Sequence, residues 1–508
     1  MAGESTGGVS GTWMSETLSG INFSIFPAGN TVANTRFPRV SLRETPWGWV
    51  ENSNPDGSVQ EAYMSRHQVS IVKYESSHDA VRRAVELAGG LPRLHSGDRV
   101  VIKPNVVMWV KDVVFPKWGV LTTSRVIEAM VVLLKEQGVD DITIVEGMVT
   151  SKARDFETPR HAFKSLGYDE LNKRYGVKAV NVMERPFEKV SIDDELSLNF
   201  NVDVMNCDHV INLPVMKTHA QTVVSLGIKN LKGVIDIPSR KKCHSPHPVK
   251  DLHYMVSRLA NKMPPMFCLI DGIFSNQRGP TLGGSIKRSN LLIASADVLS
   301  ADMVGATVLG WDPVDVPYLA LAAENQGRAA DLSGIDIQGE KIEDVITPHE
   351  YSFESAQNSQ GHWLPTPMLG TGITGVSLPK HDSTLCTYCS GLTSIIGPAL
   401  YSAWKGEPFD NVEILTGKIM KPTKGMNKTI LVGKCMVKAH KDNPDIKEMI
   451  PVKGCPATFK ELEIAFLKAG IKADPMMFEY AHLGPGLMME RYKDKPEFDE
   501  SFFVIETA

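Results

Sequence analysis

Four cysteines in the C-terminal quarter of the chain have a spacing that suits metal binding. Cys386 and Cys389 form a C-x-x-C pair in TLCTYCSG, and Cys435 and Cys455 follow singly in LVGKCMV and VKGCPAT. A tight turn brings both sulfurs of such a pair to one side, and two further thiolates would complete a four-sulfur site. The sequence therefore predicts that these four cysteines hold one metal centre.

An iron–sulfur cluster, 4Fe–4S in type, is the favoured occupant of this centre. The single cysteines lie far from the pair, no second C-x-x-C is present, and Cys455 is followed by Pro456, a pairing common at the last ligand of such clusters. Zinc is the alternative metal. A redox dithiol at Cys386 and Cys389, with the single cysteines buried in the core, also stays open. Cys268, within a strand-like run, is predicted to pack in the core.

The densest polar chemistry lies in residues 211–248, INLPVMKTHAQTVVSLGIKNLKGVIDIPSRKKCHSPHP. Lys217 and His219 follow a strand-like run that ends at Pro214, and ligand sites of open α/β sheets lie beyond the carboxyl ends of strands. A histidine there could transfer protons. Residues after the next glycine-bearing turn could hold an anionic substrate or cofactor: Lys229, Asn230, Lys232 and His244.

Other strand ends supply further candidates for the same cleft. Lys103 and Asn105 end VVIKPN, while Asp271 ends MFCLIDG and Arg278 begins a glycine-rich loop. We expect Lys103, Lys217 and His219 to be catalytic and the remaining candidates to bind substrate or cofactor. By contrast, the run from Arg240 to Lys242 is interpreted as a solvated basic loop.

The elements that position these residues are predicted from hydrophobic periodicity. From Val69 onwards, strand-like runs alternate with amphipathic helices, which is typical of right-handed crossovers and a doubly wound, mostly parallel sheet. We predict an N-terminal extension at 1–66, a main α/β domain at 67–380 and a smaller C-terminal α/β metal-binding domain at 381–508. Neither a secretory signal nor a membrane span is expected, so the predicted location is cytoplasmic.

Several stretches resemble the family known as domain of unknown function 362, over roughly Val69 to Gly339. They are VVIKPNVV, SRVIEAMVVLLKEQGVDDITIVEG, DHVINLPVMKTHAQTVVSLGIKNLKGVI, LIDGIFSNQRGPTLGG and IASADVLSADMVGA. Some members of that family carry iron–sulfur motifs, often C-x2-C-x2-C-x3-C-P repeats. This chain departs from that pattern, so the resemblance leaves the cluster type open.

Residues 211–248 also have a distant resemblance to the nickel-pincer lactate racemases. Those enzymes have a histidine, then a lysine ten residues later that tethers the cofactor, then a second histidine. His219, Lys229 and His244 have a comparable arrangement here. The resemblance implies a shared scaffold and, as an alternative, a shared nickel-pincer cofactor.

These observations favour an iron–sulfur redox enzyme that acts on a small anionic substrate. A non-redox racemase or isomerase of the nickel-pincer type is one alternative. An electron carrier or assembly protein without a substrate is another. An electron-transfer partner is expected for the redox enzyme, and a homo-oligomer is compatible with the sequence. The formal charge of −5 on 508 residues gives no electrostatic reason to expect nucleic acid.

Overall fold

The computed structural model describes residues 67–75, 77–92, 94–150 and 154–505. The predicted N-terminal extension, residues 1–66, lies outside the described residues. The described part divides into a larger unit of residues 67–353, 381–388 and 483–505 and a smaller unit of residues 354–380 and 389–482. The domain boundary placed at 380 from the sequence stays a prediction.

The strands of the larger unit form one extended sheet and one separate antiparallel pair, β5–β6. In chain order they are β1 His67–Lys73, β2 Arg99–Pro104, β3 Asp141–Glu146, β4 Lys178–Asn181, β5 Phe187–Ser191, β6 Ser197–Asn201, β7 His209–Leu213, β8 Val215–His219, β9 Val223–Ser225, β10 Met266–Gln277, β11 Ser285–Ser295 and β12 Ile335–Gly339.

The extended sheet is mostly parallel, as predicted. Its strand order is β12-β1-β11-β10-β7-β2-β3-β4, and β8 and β9 continue it beside β10. Strands β10, β7, β2, β3 and β4 run parallel to one another, whereas β11 is antiparallel to both β1 and β10. The chain leaves β2 towards β3 on one side and later returns through β7 on the other. The strand order therefore reverses between β2 and β7.

Helices cover both faces of this sheet, which explains why its central strands are apolar throughout. Adjacent residues of one strand belong to opposite cores: Ile102 and Ile211 to one, Val101 and Val210 to the other. The helices are α1 Ser77–Leu87, α2 Ser124–Glu136, α3 Glu157–Ser165, α4 Tyr168–Tyr175, α5 Val202–Met205, α6 Gly227–Asn230, α7 Ile237–Cys243, α8 Leu252–Ser257, α9 Val298–Val308, α10 Pro317–Asn325 and α11 Ile342–Val345.

Cys268 lies in the second of these cores and is fully buried, which confirms its predicted packing role.

Residues 483–505 return to the larger unit and complete its other core. A cluster of aromatic rings surrounds Phe274 of β10, whose ring centroid lies 5.4 Å from that of Phe502 and 6.0 Å from that of Phe498. The buried Phe503 joins the same cluster. The last segment of the chain is thus part of the hydrophobic core.

The smaller unit has its own parallel sheet, in the order β15-β16-β17-β18, and a two-stranded antiparallel pair. Helix α15 begins with a capping box between Thr458 and Glu461 and packs its apolar face on the sheet. The elements are β13 Ser355–Gln357, β14 Trp363–Pro365, α12 Thr366–Leu369, β15 Val376–Ser377, α13 Thr387–Ala403, β16 Val412–Leu415, β17 Lys428–Val432, α14 Lys434–His440, β18 Glu448–Val452, α15 Phe459–Ala469 and α16 Met476–Glu479.

The aromatic cluster yields a stability prediction. Replacing the buried Phe274 by Ala leaves a cavity among rings contributed by the C-terminal segment, and should lower the free energy of unfolding by about 3–5 kcal/mol. Urea denaturation followed by fluorescence measures this. Val504→Ala is the matched control, because Val504 is exposed and should change stability by less than about 0.5 kcal/mol. Equal midpoints for the two variants would contradict this role of the cluster.

Candidate functional site

The site is built where the strand order reverses, at the carboxyl ends of β2 and β7. Lys103 of β2 lies directly opposite Asn212 of β7 in the parallel register. Asn230, at the end of α6, joins them: its Nδ2 donates to Asn212 Oδ1 at 2.8 Å and to the Lys103 carbonyl at 3.2 Å. Crevices at such reversals are the usual ligand sites of open α/β sheets.

A buried ion pair connects β2 to β3. Lys103 Nζ donates to Glu146 Oε2 at 3.0 Å and to Asn230 Oδ1 at 3.4 Å, and both members of the pair are almost fully buried. Glu146 Oε2 also accepts the Val106 N–H at 2.6 Å, while its Oε1 accepts the Gly147 N–H at 2.7 Å. Glu146 therefore organises the loops after β2 and β3 as well as neutralising Lys103.

Lys217 and His219 lie two residues apart on β8, so their side chains point to the same face of that strand. The buried Lys217 Nζ donates to the Val120 carbonyl at 3.3 Å. His219 Nδ1 accepts the Gln221 N–H at 3.1 Å, which leaves the proton of a neutral imidazole on Nε2. His219 therefore offers an N–H donor to this face of the strand.

The turn that carries Lys229 is fixed by a buried carboxylate. Asp302, in the buried helix α9, accepts the Gly227 N–H at 2.6 Å and the Ile228 N–H at 2.9 Å. A Cβ at Gly227 would lie 2.8 Å from Asp302 Oδ1, so this approach requires glycine. Lys229 itself is buried and makes no hydrogen bond or ion pair within the described residues.

Lys232 and His244 are bound to one another. Lys232 Nζ donates to His244 Nε2 at 2.6 Å, and His244 Nδ1 donates to the Ser383 carbonyl at 2.7 Å. Since a carbonyl can only accept, the second bond fixes the tautomer of a neutral His244, with its lone pair on Nε2. The two histidines of the site thus present opposite hydrogen-bonding character through their Nε2 atoms.

The electrostatics of the site are dominated by buried positive charge. Burial lowers the pKa of Lys217 to about 7; Glu146 acts against this shift and Lys103 adds to it. Burial, followed by the charges of Lys232 and Lys217, holds the pKa of Lys229 well below its usual range. Burial and then Lys229, Lys232 and Lys217 lower the pKa of His219 well below 6.5. We call Lys103, Lys217, His219, Lys229, Lys232 and His244 the basic cluster.

Two predicted binding residues have their polar contacts elsewhere, and a third lies at the edge of the basic cluster. Asp271 accepts the Thr123 N–H at 2.7 Å and the Thr123 hydroxyl at 2.8 Å, at the beginning of α2. Arg278 forms a 3.3 Å ion pair with Glu350. Asn105 lies at the edge of the basic cluster, since its Nδ2 donates to the Val120 carbonyl that also accepts from Lys217.

The expectation of a solvated loop at residues 240–242 is wrong for Arg240. This residue is 3% exposed, lies on α7, and donates to the Ile235 and Gly233 carbonyls at 2.9 and 2.7 Å.

Asp302 was not predicted to support the site, although an aspartate inside the apolar run DVLSADMVGATVLG was the available signal. His253 was not predicted to lie near the site either. Burial lowers the pKa of His253; Asp251 opposes this shift, and the charge of Lys229 adds to it.

Three predicted cysteine ligands belong to segments of the smaller unit that meet at Gly433. Cys435 and Cys455 follow the parallel strands β17 and β18, and the Lys434 N–H donates to the Gly454 carbonyl at 3.1 Å. A Cβ at Gly433 would lie 3.4 Å from Cys389 Sγ. Cys386 directly precedes α13, on whose first turn Cys389 lies. Within the described residues, no three His, Cys, Asp or Glu side chains are already placed to hold a metal ion.

The buried pair between Lys103 and Glu146 yields a mutational prediction. Glu146→Gln should destabilise the fold by about 3–5 kcal/mol, because it leaves the Lys103 charge buried without its counterion. The double variant Lys103→Met with Glu146→Gln should recover much of that loss, since neither charge remains. Chemical denaturation of the wild type, both single variants and the double variant measures the coupling. Strictly additive effects would contradict the pairing.

The segment that contains most of this site is similar to known proteins. A model of the family described as Domain of unknown function (DUF362) matches residues 100–307. A thylakoid-associated protein of Synechocystis sp. is 27% identical over 286 residues, which are 54% of this chain and 85% of that protein. No helix among the described residues of the present chain has both the length and the apolar character needed to cross a membrane.

The lactate racemase apoprotein from Thermoanaerobacterium thermosaccharolyticum shows a weak structural similarity, with a TM-score of 0.30 and 13% identity. The alignment covers 50% of this chain and 59% of the racemase chain. The family match includes β2, β3, β7, β8 and the turn with Lys229. The match of the family model to residues 100–307 confirms the resemblance to the DUF362 family that was expected from the sequence.

Proposed function

We propose that the protein is an enzyme that binds a small anionic substrate at the basic cluster and carries out redox chemistry with an iron–sulfur cluster held by the C-terminal cysteines. The observation that carries the substrate proposal is a set of buried lysines without counterions, which gain a proton most readily when an anion is bound beside them. Lys217 and Lys229 are buried but form no ion pair in the described structure, while Glu146 is already paired with Lys103. Burying a lysine without a counterion costs several kcal/mol, so a bound anion would stabilise this arrangement.

The hydrogen-bonding character of the cluster supports proton transfer to a bound substrate. His219 offers an Nε2–H donor, and Lys217 exchanges its proton near neutral pH because burial lowers its pKa to about 7. Lys229 has no competing hydrogen bond among the described residues and can bind a carboxylate or phosphate oxygen. Asn230 and Asp302 would then act as positioning residues, because they hold the turn that carries Lys229.

The cofactor proposal rests on the chemistry and placement of the cysteines. Thiolates are the usual ligands of iron–sulfur clusters, and the segments with Cys389, Cys435 and Cys455 meet at Gly433. A cluster bound there would supply single electrons. Zinc at the same cysteines remains the alternative occupant, in which case the site would be structural.

A nickel-pincer racemase is the second candidate function. The supporting observation is that the Lys229 amine has no hydrogen-bond partner within the described residues, as a lysine that tethers a cofactor would require. Intact-protein mass spectrometry distinguishes the candidates, because a tethered cofactor would add mass that Lys229→Arg removes. An iron–sulfur carrier without a substrate is the third possibility, and it predicts that small anions do not bind.

Anion binding tests the proposed substrate site. Oxalate should raise the melting temperature of the wild type, and Lys229→Met should weaken its binding at least about tenfold, or about 1.4 kcal/mol. Lys262→Met, which removes an exposed lysine, is the matched control and should bind normally. Calorimetric titration measures both. Binding should strengthen as pH falls through about 7, since Lys217 then gains its charge. Equal binding by both variants would refute this site.

Iron analysis after anaerobic purification tests the cofactor proposal independently. Cys455→Ser and Cys386→Ser should lose most of the bound iron and the visible absorption that dithionite bleaches, because each removes one thiolate ligand. Cys268→Ser is the control, since this thiol is buried in the main core and should leave iron content unchanged. Full iron content in the first two variants would show that the ligand assignment is wrong. Zinc or nickel in place of iron would favour the alternatives.

A further inference from the structure

Lys217 is buried without the carboxylate partner that a permanently charged lysine would need. Its side chain is 2% exposed, and its one hydrogen bond in the described structure is a long one, 3.3 Å, to the Val120 carbonyl. It forms no ion pair with any described carboxylate. A lysine that is meant to remain charged in a protein interior is normally paired, as Lys103 is with Glu146.

The charged groups around Lys217 favour its neutral amine. Burial brings the pKa of Lys217 to about 7; Glu146 opposes this shift, and Lys103 adds to it. Lys217 is in turn close enough to His219 and Lys229 for its charge to lower the pKa of each. An unprotonated amine is a nucleophile, and desolvation beside other cations is the usual way to obtain one at neutral pH.

We propose that Lys217 forms an imine with the carbonyl carbon of a small 2-oxo carboxylate bound in the basic cluster. The inference rests on the proposed anion site and names both the substrate class and a covalent step. Lys229 binds the carboxylate of the substrate, and Lys217 attacks the adjacent carbonyl carbon. Such a substrate carries its anion one bond from the electrophilic carbon, which suits a cluster in which Lys217 is close enough to Lys229 to lower its pKa.

The covalent step is a condensation that releases water. The lone pair of Lys217 Nζ forms a bond to the carbonyl carbon as the carbonyl π bond breaks, and one Nζ proton moves to the carbonyl oxygen to give a carbinolamine hydroxyl. This hydroxyl accepts a hydrogen bond from His219 Nε2–H, takes a proton from the solvent and leaves as water while the second bond between nitrogen and carbon forms. The product is a protonated imine, which withdraws electrons from the neighbouring carbon. No oxidant or reductant is consumed.

His219 is well placed for this role because of its position on β8. Its side chain lies on the same face of the strand as Lys217, and the Gln221 N–H holds its Nδ1 as an acceptor. The proton of the neutral His219 ring is therefore on Nε2. His219 is also less buried than Lys217.

Trapping with borohydride tests the proposal on the full-length protein. Pyruvate is the probe, and the wild type should gain the mass of one carboxyethyl group after reduction, located at Lys217 by peptide mapping. Lys217→Arg keeps the positive charge but cannot form an imine, so it should lose this adduct. Lys262→Arg, at an exposed position, should retain it. Circular dichroism and melting temperature verify that each variant is folded.

The pH dependence of trapping gives a second readout. Adduct formation should rise as pH increases through about 7 and then level off, because Lys217 becomes neutral in that range, whereas an ordinary surface lysine continues to gain reactivity far above it. Adducts on exposed lysines alone, an adduct on Lys229, or no adduct on a folded wild type would each overturn the proposal. Oxalate, which has no ketone, separates the two hypotheses: oxalate binding without a pyruvate adduct refutes the imine only, and loss of both refutes the anion site as well.

Discussion

The buried ion pair between Lys103 and Glu146 is the interaction on which the geometry of the site depends. It joins the carboxyl ends of two neighbouring parallel strands, β2 and β3, and the remaining acceptor capacity of Glu146 holds the first amides of both following loops. Asn230 extends the network to β7 and to the turn that carries Lys229. The Glu146 carboxylate and the Asn230 amide each form hydrogen bonds to groups from several elements. These bonds therefore fix the ends of β2, β3 and β7 relative to the turn that carries Lys229.

Lys217 and Lys229 are buried near this network without a carboxylate partner, and the protonation of their amines explains how the fold tolerates them. Each buried ammonium group loses its hydration, and the pKa of a lysine falls when nothing replaces that hydration. Lys217 and Lys229 follow this course. Burial lowers the pKa of Lys103 as well, but the Glu146 carboxylate opposes that shift. The site therefore combines one lysine that is paired with a carboxylate and two that are not. Buried groups of this kind lower stability locally, and they are common at functional sites.

The sequence predicted the sheet and the position of the site more fully than it predicted the contacts within the site. Hydrophobic runs reveal buried parallel strands, and the ends of such strands meet at one edge, which is why Lys103, Lys217 and Lys229 could be grouped in advance. The tautomers of His219 and His244 depend on the Gln221 amide and the Ser383 carbonyl, respectively. Ser383 is distant from His244 in the sequence, so no local sequence pattern predicts their contact.

Arg240 and Asp302 illustrate the same limit. Arg240 belongs to a run of basic residues that resembles a solvent-exposed loop, yet its guanidinium satisfies backbone carbonyls in the interior. Asp302 is separated by some seventy residues from the amides it holds, so its role follows only from the way α9 packs against the turn. Composition and periodicity describe surfaces and strands, but they do not show which distant polar groups meet.

The return of residues 483–505 to the larger unit has a consequence for biosynthesis. Phe498, Phe502 and Phe503 fill the core around Phe274, but the ribosome adds them after all of residues 389–482 have been made. During translation one face of β10 therefore lacks its aromatic cover until residues 498–503 leave the exit tunnel. The described residues of the smaller unit, by contrast, are all made earlier. The nascent larger unit thus exposes apolar surface, and is prone to aggregation, until residues 498–503 emerge.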